Sequence, residues 1–137
     1  TYYIRQNGRP ANRMTLRLAV KAGSLFEADD QQGLAHLIEH MAFNGSAHFK
    51  PGELVSYFER TGARLGPHVN AYTSFDETVY TLTLPTDSAE VLETGLKILE
   101  EWASAITFDS LQVEQERGVV IEEWRMGQGA QTRLQYQ

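Results

Sequence analysis

The chain has 137 residues, of which 42% are hydrophobic and 22% are charged, and these values are typical of one globular domain with a buried core. Its net charge of −6 argues against a nucleic-acid partner. Because the chain has no cysteine, disulfides, thiol nucleophiles and cysteine metal ligands are excluded. No stretch approaches the ~20 apolar residues of a transmembrane helix, and the first residues do not resemble a signal peptide.

Hydrophobic periodicity and turn residues predict eight elements in the order ββααββαα. Two strands are expected first, at residues 2–5 and 14–21, joined by a turn at Asn7–Pro10. The later elements are predicted as helices at 33–43 and 51–60, strands at 69–74 and 78–84, and helices at 88–106 and from Asp109 through Glu123.

The order of these elements predicts the fold class. Strands and helices alternate in pairs, so long crossovers between parallel strands are not required, and we expect an α+β fold in which an antiparallel-rich sheet is covered by helices. Asp109 is placed to cap the last helix, and Gly127 and Gly129 would loosen its end. The long third helix is expected to bury a face made of Leu92, Leu96, Leu99 and Trp102.

The segment Gly33–Met41, Gly-Leu-Ala-His-Leu-Ile-Glu-His-Met, carries the pattern that points to chemistry. On a helix its apolar side chains gather on one face, and His36, Glu39 and His40 fall together on the opposite face. The Cβ atoms of two histidines at i and i+4 are about 5–6 Å apart, so a nitrogen of each ring can lie about 2.0–2.1 Å from one zinc ion. Glu39 lies between them in projection, close enough to take a proton from metal-bound water. The order His-x-x-Glu-His is that of the inverzincins.

The competing interpretation of this segment is a solvated helix face on which chance has placed two histidines and a glutamate. Chance would produce the spacing in roughly one such chain in a hundred. Its position on the polar side of an amphipathic helix lowers that frequency further. We therefore prefer the metal site.

A catalytic zinc site needs a third protein ligand, which leaves His48, His68 or a carboxylate. Glu116 and Glu123 stand seven residues apart on one side of the last helix, where a cation would offset the cost of partly burying a carboxylate. The pair could also be an ordinary solvated face, and we expect the two histidines to be surface or loop residues. The apolar stripe that the two glutamates border consists of Val113, Val120 and Trp124.

Together these segments resemble the pitrilysin/insulinase family of zinc metallopeptidases, and within it the chain looks closest to the bacterial PqqL-type zinc proteases. The resemblance covers nearly the whole chain and is specific, because several motifs occur in the family's order. The matching segments are Ala22–Ser24 with Glu27, Gly33–Ser46, Asn70–Thr73 with Thr78 and Tyr80, and Glu116–Glu123.

The resemblance implies a role for each matching polar residue. His36, His40 and Glu123 would bind one zinc ion per chain, Glu39 would be the general base, and Glu116 would support the site from behind the ligands. It also implies that the strand containing Asn70, Ala71 and Tyr72 lines the cleft and pairs with an extended peptide substrate.

The same resemblance sets the expected fold, function and context. Residues 1–137 would form a single, partial processing-peptidase/pitrilysin-like domain, most of the N-terminal zinc-binding domain of a longer multi-domain peptidase. The expected activity is that of a zinc endopeptidase using metal-activated water, with the isolated chain inactive or weakly active because the family's other half holds the substrate. Expected partners are a peptide or small-protein substrate and the remaining domains, with self-association through an unpaired sheet edge. PqqL-type relatives also imply a periplasmic location.

Two alternatives remain at this point. A non-catalytic peptide-binding or scaffold domain of the same family would have the fold without the chemistry, and metal analysis separates it from an enzyme. A metal-dependent hydrolase of a non-peptide substrate would keep the motif, and a peptide digest separates it from a peptidase.

Overall fold

The computed structural model describes residues 1–127, so Gly129 lies outside the described residues. The secondary structure within them consists of three strands, four α-helices and a three-residue helical turn at Ser24–Phe26. In chain order the elements are β1 (Arg13–Val20), α1 (Leu34–Asn44), α2 (Glu53–Arg60), β2 (Val69–Thr73), β3 (Thr78–Pro85), α3 (Ala89–Ser104) and α4 (Ser110–Gly127).

The strands form one antiparallel sheet in the order β1–β3–β2. Leu16 pairs with Leu82 on one side of β3, and Ala71 pairs with Tyr80 on the other. Because β3 has a neighbour on each side, it is the most buried strand, and its Leu82 and Leu84 are fully enclosed. The sheet and the helices that cover it confirm the predicted α+β class.

The core lies between the sheet, α1, α2 and α3. Phe58 from α2 and Ile98 and Trp102 from α3 are buried there, each side chain contributing roughly 1.5–3 kcal/mol through burial. The Trp102 indole Nε1 also donates to the carbonyl oxygen of Ala42 at 2.8 Å. This bond satisfies a buried donor and ties the C-terminal part of α1 to α3.

The strand predicted at residues 2–5 is wrong. Tyr2, Tyr3 and Ile4 are each at least 83% exposed and belong to no strand. A strand needs a neighbour with which to exchange backbone hydrogen bonds, and residues 2–5 are not paired with β1 despite the turn at 8–12.

The buried face predicted for α3 is also partly wrong. Leu92 and Leu96 are exposed, and Gly95 is buried in their place. A Cβ atom on Gly95 would lie 2.8 Å from Leu84 Cδ1 and 2.9 Å from Leu16 Cδ1, so the missing side chain lets the helix lie close to the sheet. The helix packs through the Gly95 side and ends at Ser104 rather than Ile106.

The last helix is capped as predicted, but it is less buried than its apolar stripe suggested. The Asp109 carboxylate accepts hydrogen bonds from the backbone N–H groups of Leu111 and Gln112 at 3.0 and 3.2 Å. None of the α4 residues is fully buried, and Trp124 is 65% exposed. None of the helices in residues 1–127 combines the length and apolar character needed to cross a bilayer.

A buried carboxylate fastens the loop after α1 to α3. Glu101 is 2% exposed and accepts hydrogen bonds from the backbone N–H and Nδ1 of His48 at 3.1 and 2.5 Å, with Lys97 Nζ at 3.3 Å. Burial alone would raise the pKa of Glu101, but the hydrogen bonds from His48 and the charge of Lys97 outweigh it and lower the pKa from 4.5 to about 2. The carboxylate is therefore charged in the folded chain.

This lowered pKa predicts how stability depends on acid. Between pH 4.5 and about 2 the unfolded chain binds more protons at Glu101 than the folded chain does, so its stabilising contribution is complete above that window and is lost as the pH falls through it. Urea unfolding of the chain at a series of pH values should show this loss. Glu101→Gln should flatten the dependence, whereas Glu100→Gln, at the exposed neighbouring position, should retain it; equal slopes in both variants would contradict the assignment.

Candidate metal centre

Helix α1 brings two imidazoles together on the side that faces α4. His36 Nε2 and His40 Nε2 are 3.2 Å apart, and the ring centroids are 4.7 Å apart at an interplanar angle of 81°. The spacing of one helical turn places both side chains on the same stripe. Two nitrogen lone pairs at this distance repel unless one ring donates a proton to the other or a cation lies between them.

Helix α4 adds a carboxylate to this pair. Glu123 Oε2 lies 3.4 Å from His36 Nε2 and 3.6 Å from His40 Nε2. Ligand atoms that surround a tetrahedral zinc ion at 2.0–2.1 Å are about 3.3–3.4 Å from one another. The three atoms therefore form a triangle of the size that zinc requires. Within residues 1–127 they are also the group of three side chains close enough together to hold a metal ion.

A second glutamate of α4 fixes the orientation of His40. Glu116 Oε2 lies 2.9 Å from His40 Nδ1, and both side chains are about one-fifth exposed. Because the carboxylate only accepts, Nδ1 carries the proton and Nε2 presents its lone pair to the cluster. A carboxylate behind a histidine ligand is the arrangement that orients metal-binding imidazoles. The donor set therefore fits a zinc ion.

Glu39, which was expected on one helix face with the two histidines, lies apart from them, against the sheet. Its side chain is buried, while the apolar Leu34 and Ile38 are partly exposed. The Thr73 hydroxyl donates to Glu39 Oε2 at 2.5 Å, because α1 packs against β2 on this side. The carboxylate is thus held by the sheet rather than by solvent, and it does not belong to the triangle of possible ligands.

The strand β2 forms an open edge of the sheet beside these groups. Val69 directs its backbone away from β3, since its N–H donates to Arg64 and its carbonyl accepts from Gly66, at 3.1 and 2.8 Å. The backbone groups of Ala71, two residues later, point the same way. Ala71 and Asn70 line a cavity of about 290 Å³ together with Glu39, His40 and Glu116.

Tyr72, the third residue predicted to contact substrate, is half-exposed, lies on the opposite face of β2 from Ala71, and does not line that cavity. Its hydroxyl donates to Glu77 Oε1 at 2.7 Å. This hydrogen bond raises the pKa of Tyr72. Of the three residues predicted to contact substrate, Asn70 and Ala71 therefore line the cavity, and Tyr72 does not.

The two histidines considered as alternative third ligands lie elsewhere. His48 is paired with Glu101, as described above, and His68 Nδ1 accepts from the backbone N–H of Arg64 at 3.1 Å. Neither belongs to the triangle of possible ligands. Both are loop residues with a protein partner.

Comparison with known proteins identifies the family of this chain. Residues 2–135 match the family described as insulinase, or peptidase family M16. The chain belongs to this family. It is 44% identical to the probable zinc protease PqqL of Escherichia coli over 96% of its length and 14% of that protein. The probable zinc protease PqqL of Haemophilus influenzae is also 44% identical, over 90% of this chain and 13% of that protein.

Solved structures of similar proteins confirm the fold. The crystal structure of the periplasmic protease PqqL from E. coli matches with a TM-score of 0.86 and 44% identity, over 93% of this chain and 14% of that chain. A mutant of the ferredoxin protease FusC, in complex with Arabidopsis ferredoxin, matches with a TM-score of 0.79 and 29% identity, over 92% of this chain and 14% of that chain. This chain therefore spans about one-seventh of the length of these relatives.

Thr73 and Glu27 belong to segments that match the family, but sequence reasoning assigned a role to neither. Thr73 holds Glu39, and alternation along β2 could have suggested it, since Thr73 shares a face with Ala71. Glu27 accepts hydrogen bonds from the first turn of α1, and no local pattern pointed to that contact. Tyr80 on β3 is buried near Glu39 of α1. Its burial, together with the negative charge of Glu39, raises the pKa of Tyr80 to about 12.

The geometry predicts that the chain binds one zinc ion and that the two glutamates of α4 contribute unequally. Glu123→Gln should weaken zinc binding more than Glu116→Gln, because the first removes a charged ligand atom and the second only loosens a ligand, at a cost of about 10- to 100-fold in affinity. Zinc titration against a chromophoric chelator measures both. Glu122→Gln, at the exposed adjacent position, is the matched control. Equal zinc content in the wild type and in His40→Ala would contradict the site.

Proposed function

We propose that the chain is the zinc-binding domain of a longer endopeptidase that hydrolyses bonds within a peptide or small-protein substrate. The observation that carries the proposal is the triangle formed by His36, His40 and Glu123, with sides of 3.2, 3.4 and 3.6 Å. Zinc protease relatives at 44% identity support the metal and the reaction class. Because the chain spans about one-seventh of those relatives, further domains would complete the enzyme.

In this proposal the three side chains of the triangle hold the ion through His36 Nε2, His40 Nε2 and Glu123 Oε2. Zinc, when bound, supplies a Lewis acid that acidifies water and polarises a carbonyl group. The contact with Glu116 keeps His40 in the tautomer whose Nε2 lone pair would be available to the ion. Each ligand is then fixed either by its helix or by a neighbouring carboxylate.

Glu39 is the proposed general base. Its Oε2 accepts from Thr73, which leaves Oε1 free to take a proton from the attacking water and to pass it to the leaving amine. Its burial excludes bulk water, which would otherwise compete for the same oxygen. The buried carboxylate also borders the cavity that contains His40.

The open edge of β2 is the proposed substrate-binding element. An extended peptide placed along it would exchange backbone hydrogen bonds with Ala71, which lines the cavity that also contains Glu39 and His40. Backbone pairing gives affinity without a sequence requirement. The FusC–ferredoxin complex supports a small protein as the class of substrate. The periplasmic PqqL of E. coli supports a periplasmic location.

A non-catalytic peptide-binding domain is the second candidate, and the same open edge favours it. Such a domain would bind peptide through β2 and would have no need of the triangle or of Glu39. Metal analysis distinguishes the two. A hydrolase of a non-peptide substrate would bind zinc but leave peptides intact.

The role of Glu39 is tested with Glu39→Gln in the longer protein that contains this chain. The variant should keep its zinc, since Glu39 is outside the triangle, and should lose peptidase activity by ~100-fold or more, because the amide cannot accept the proton. Zinc analysis and cleavage of a quenched fluorescent peptide give the two readouts. Glu122→Gln serves as the control, and loss of zinc from Glu39→Gln would instead make Glu39 a ligand.

The chain by itself should cleave peptide far more slowly than the longer protein, even when loaded with zinc. In the proposal, the further domains supply the donors that stabilise the developing oxyanion and the groups that position the substrate. Loss of one such donor costs about 2.7–4 kcal/mol, and loss of substrate positioning slows the reaction further. The same fluorescent peptide assay, with Glu39→Gln to exclude contaminating protease, compares the two proteins. Turnover by the chain within tenfold of the longer protein would mean that residues 1–137 already hold a complete site.

A further inference from the structure

The first turn of α1 carries His36 but has no capping side chain of its own. Gly33 occupies the N-cap position with φ 93° and makes no side-chain hydrogen bond. The first backbone N–H groups of a helix have no acceptor within the helix and need one from elsewhere. An uncapped first turn frays, and His36 lies in that turn, two residues after Leu34.

A glutamate upstream of the helix supplies the missing acceptors. Glu27 Oε2 accepts from the N–H of Gly33 at 2.8 Å, and Glu27 Oε1 accepts from the N–H of Ala35 at 2.7 Å. A negative charge at a helix N-terminus is further stabilised by the helix dipole. Both oxygens are therefore engaged with the turn that contains His36.

Glu27 is itself fixed to the sheet. The helical turn just before it donates from Ser24 N–H to Ser74 carbonyl and from Leu25 N–H to Phe75 carbonyl, at 3.1 and 2.8 Å. A Cβ atom on Gly23 would lie 2.3 Å from the Ser74 carbonyl oxygen, so this close approach of two backbones requires glycine. The segment that leads into Glu27 is thus held against the residues that follow β2, and Glu27 lines a cavity together with His36 and Thr73.

The two histidines differ in what holds them. The His40 ring is oriented by Glu116, whereas the His36 ring, among the hydrogen bonds and ion pairs of residues 1–127, contacts only His40 and Glu123 within the triangle. The position of His36 therefore depends on its own helical turn. Whatever holds that turn also holds the ligand.

We infer that Glu27 is a positioning residue for the metal centre: by capping the first turn of α1 it holds His36 in register with His40 and Glu123. The inference rests on the proposed function, since it requires that these three side chains bind a metal ion. It assigns Glu27 a role that a purely stabilising cap would not have. Its loss should change the metal site itself as well as the stability of the chain.

The chain offers a matched control for this role. Helix α2 also begins after a glycine in the left-handed region, Gly52 with φ 84° and no side-chain cap, and Glu53 Oε2 accepts from the N–H of Lys50 at 2.8 Å. Glu53 therefore stabilises the start of a helix that carries no ligand. Glu53→Gln removes a charged helix-start glutamate without touching the metal centre.

The experiment compares the wild type, Glu27→Gln and Glu53→Gln by titration with zinc and by the visible absorption of the cobalt(II)-loaded chain, with urea unfolding to measure stability. We expect Glu27→Gln to weaken zinc binding about tenfold and to alter the cobalt spectrum, because the geometry at His36 changes. Glu53→Gln should lower stability and leave both metal readouts unchanged. Glu27→Asp, which keeps the charge on a shorter side chain, should fall between the wild type and Glu27→Gln and provides a milder variant if Glu27→Gln does not fold.

The outcomes separate this inference from the proposed function. A wild type that binds neither metal would overturn the metal centre and the positioning role together. If the wild type binds zinc, and Glu27→Gln and Glu27→Asp both bind it with the affinity of the wild type and show the same cobalt absorption, the positioning role alone is overturned. Equal weakening by Glu27→Gln and Glu53→Gln would also overturn it, since the effect would then come from general stability.

Discussion

The hydrogen bond between Glu116 and His40 joins the two helices on which the candidate site depends. Helix α4 packs mainly on α1 and contributes no fully buried side chain, so apolar burial contributes little to its position. The contact of 2.9 Å therefore both orients an imidazole and holds the helix that brings Glu123 to the cluster. Glu116, which orients His40, and Glu123, which joins the cluster, are seven residues or two helical turns apart and so lie on the same side of α4.

The surroundings of α1 explain why its side chains occupy three different environments. His36 and His40 face α4, Glu39 faces β2, and Leu34 and Ile38 remain partly exposed. A helix with neighbours on two sides can present ligands to one and a carboxylate to the other, which separates possible metal binding from proton transfer. The bond from Trp102 to the Ala42 carbonyl fixes the far end of the helix. Glu27 fixes the near end, so both ends of the helix are tied to other elements.

Local sequence patterns were enough to predict those parts of the structure that local forces determine. The helix spacing of His36, Glu39 and His40 and the cap at Asp109 follow from neighbours within one turn, and the structure contains the predicted helix and the cap. The strand at residues 2–5 failed because a strand depends on a distant partner. The α3 face failed at Leu92 and Leu96 because Gly95, which has no hydrophobic side chain to count, determines how closely the helix approaches the sheet.

The site divides in the same way. The two imidazoles could be placed from sequence, and His48 and His68 could be interpreted as loop residues. The choice between Glu116 and Glu123 as the ligand depended on family resemblance, because which helix faces which is a tertiary property. The distances in the structure place Glu123 Oε2 beside both Nε2 atoms and Glu116 Oε2 beside Nδ1 of His40. The capping of α1 by Glu27 could not be read from sequence, since a glutamate in a loop forms no periodic pattern with the helix that it contacts.

The different environments of the two tryptophans have a spectroscopic consequence. Trp102 is enclosed in the core against α1, and Trp124 is exposed on α4, adjacent to Glu123. A buried indole emits at shorter wavelength and is shielded from aqueous quenchers, while an exposed one emits to the red and is quenched readily. The chain therefore contains an intrinsic fluorophore for each of two events: Trp102 reports the integrity of the core, and Trp124 reports the surroundings of the helix that carries the carboxylates. Iodide quenching would separate their signals without any added label.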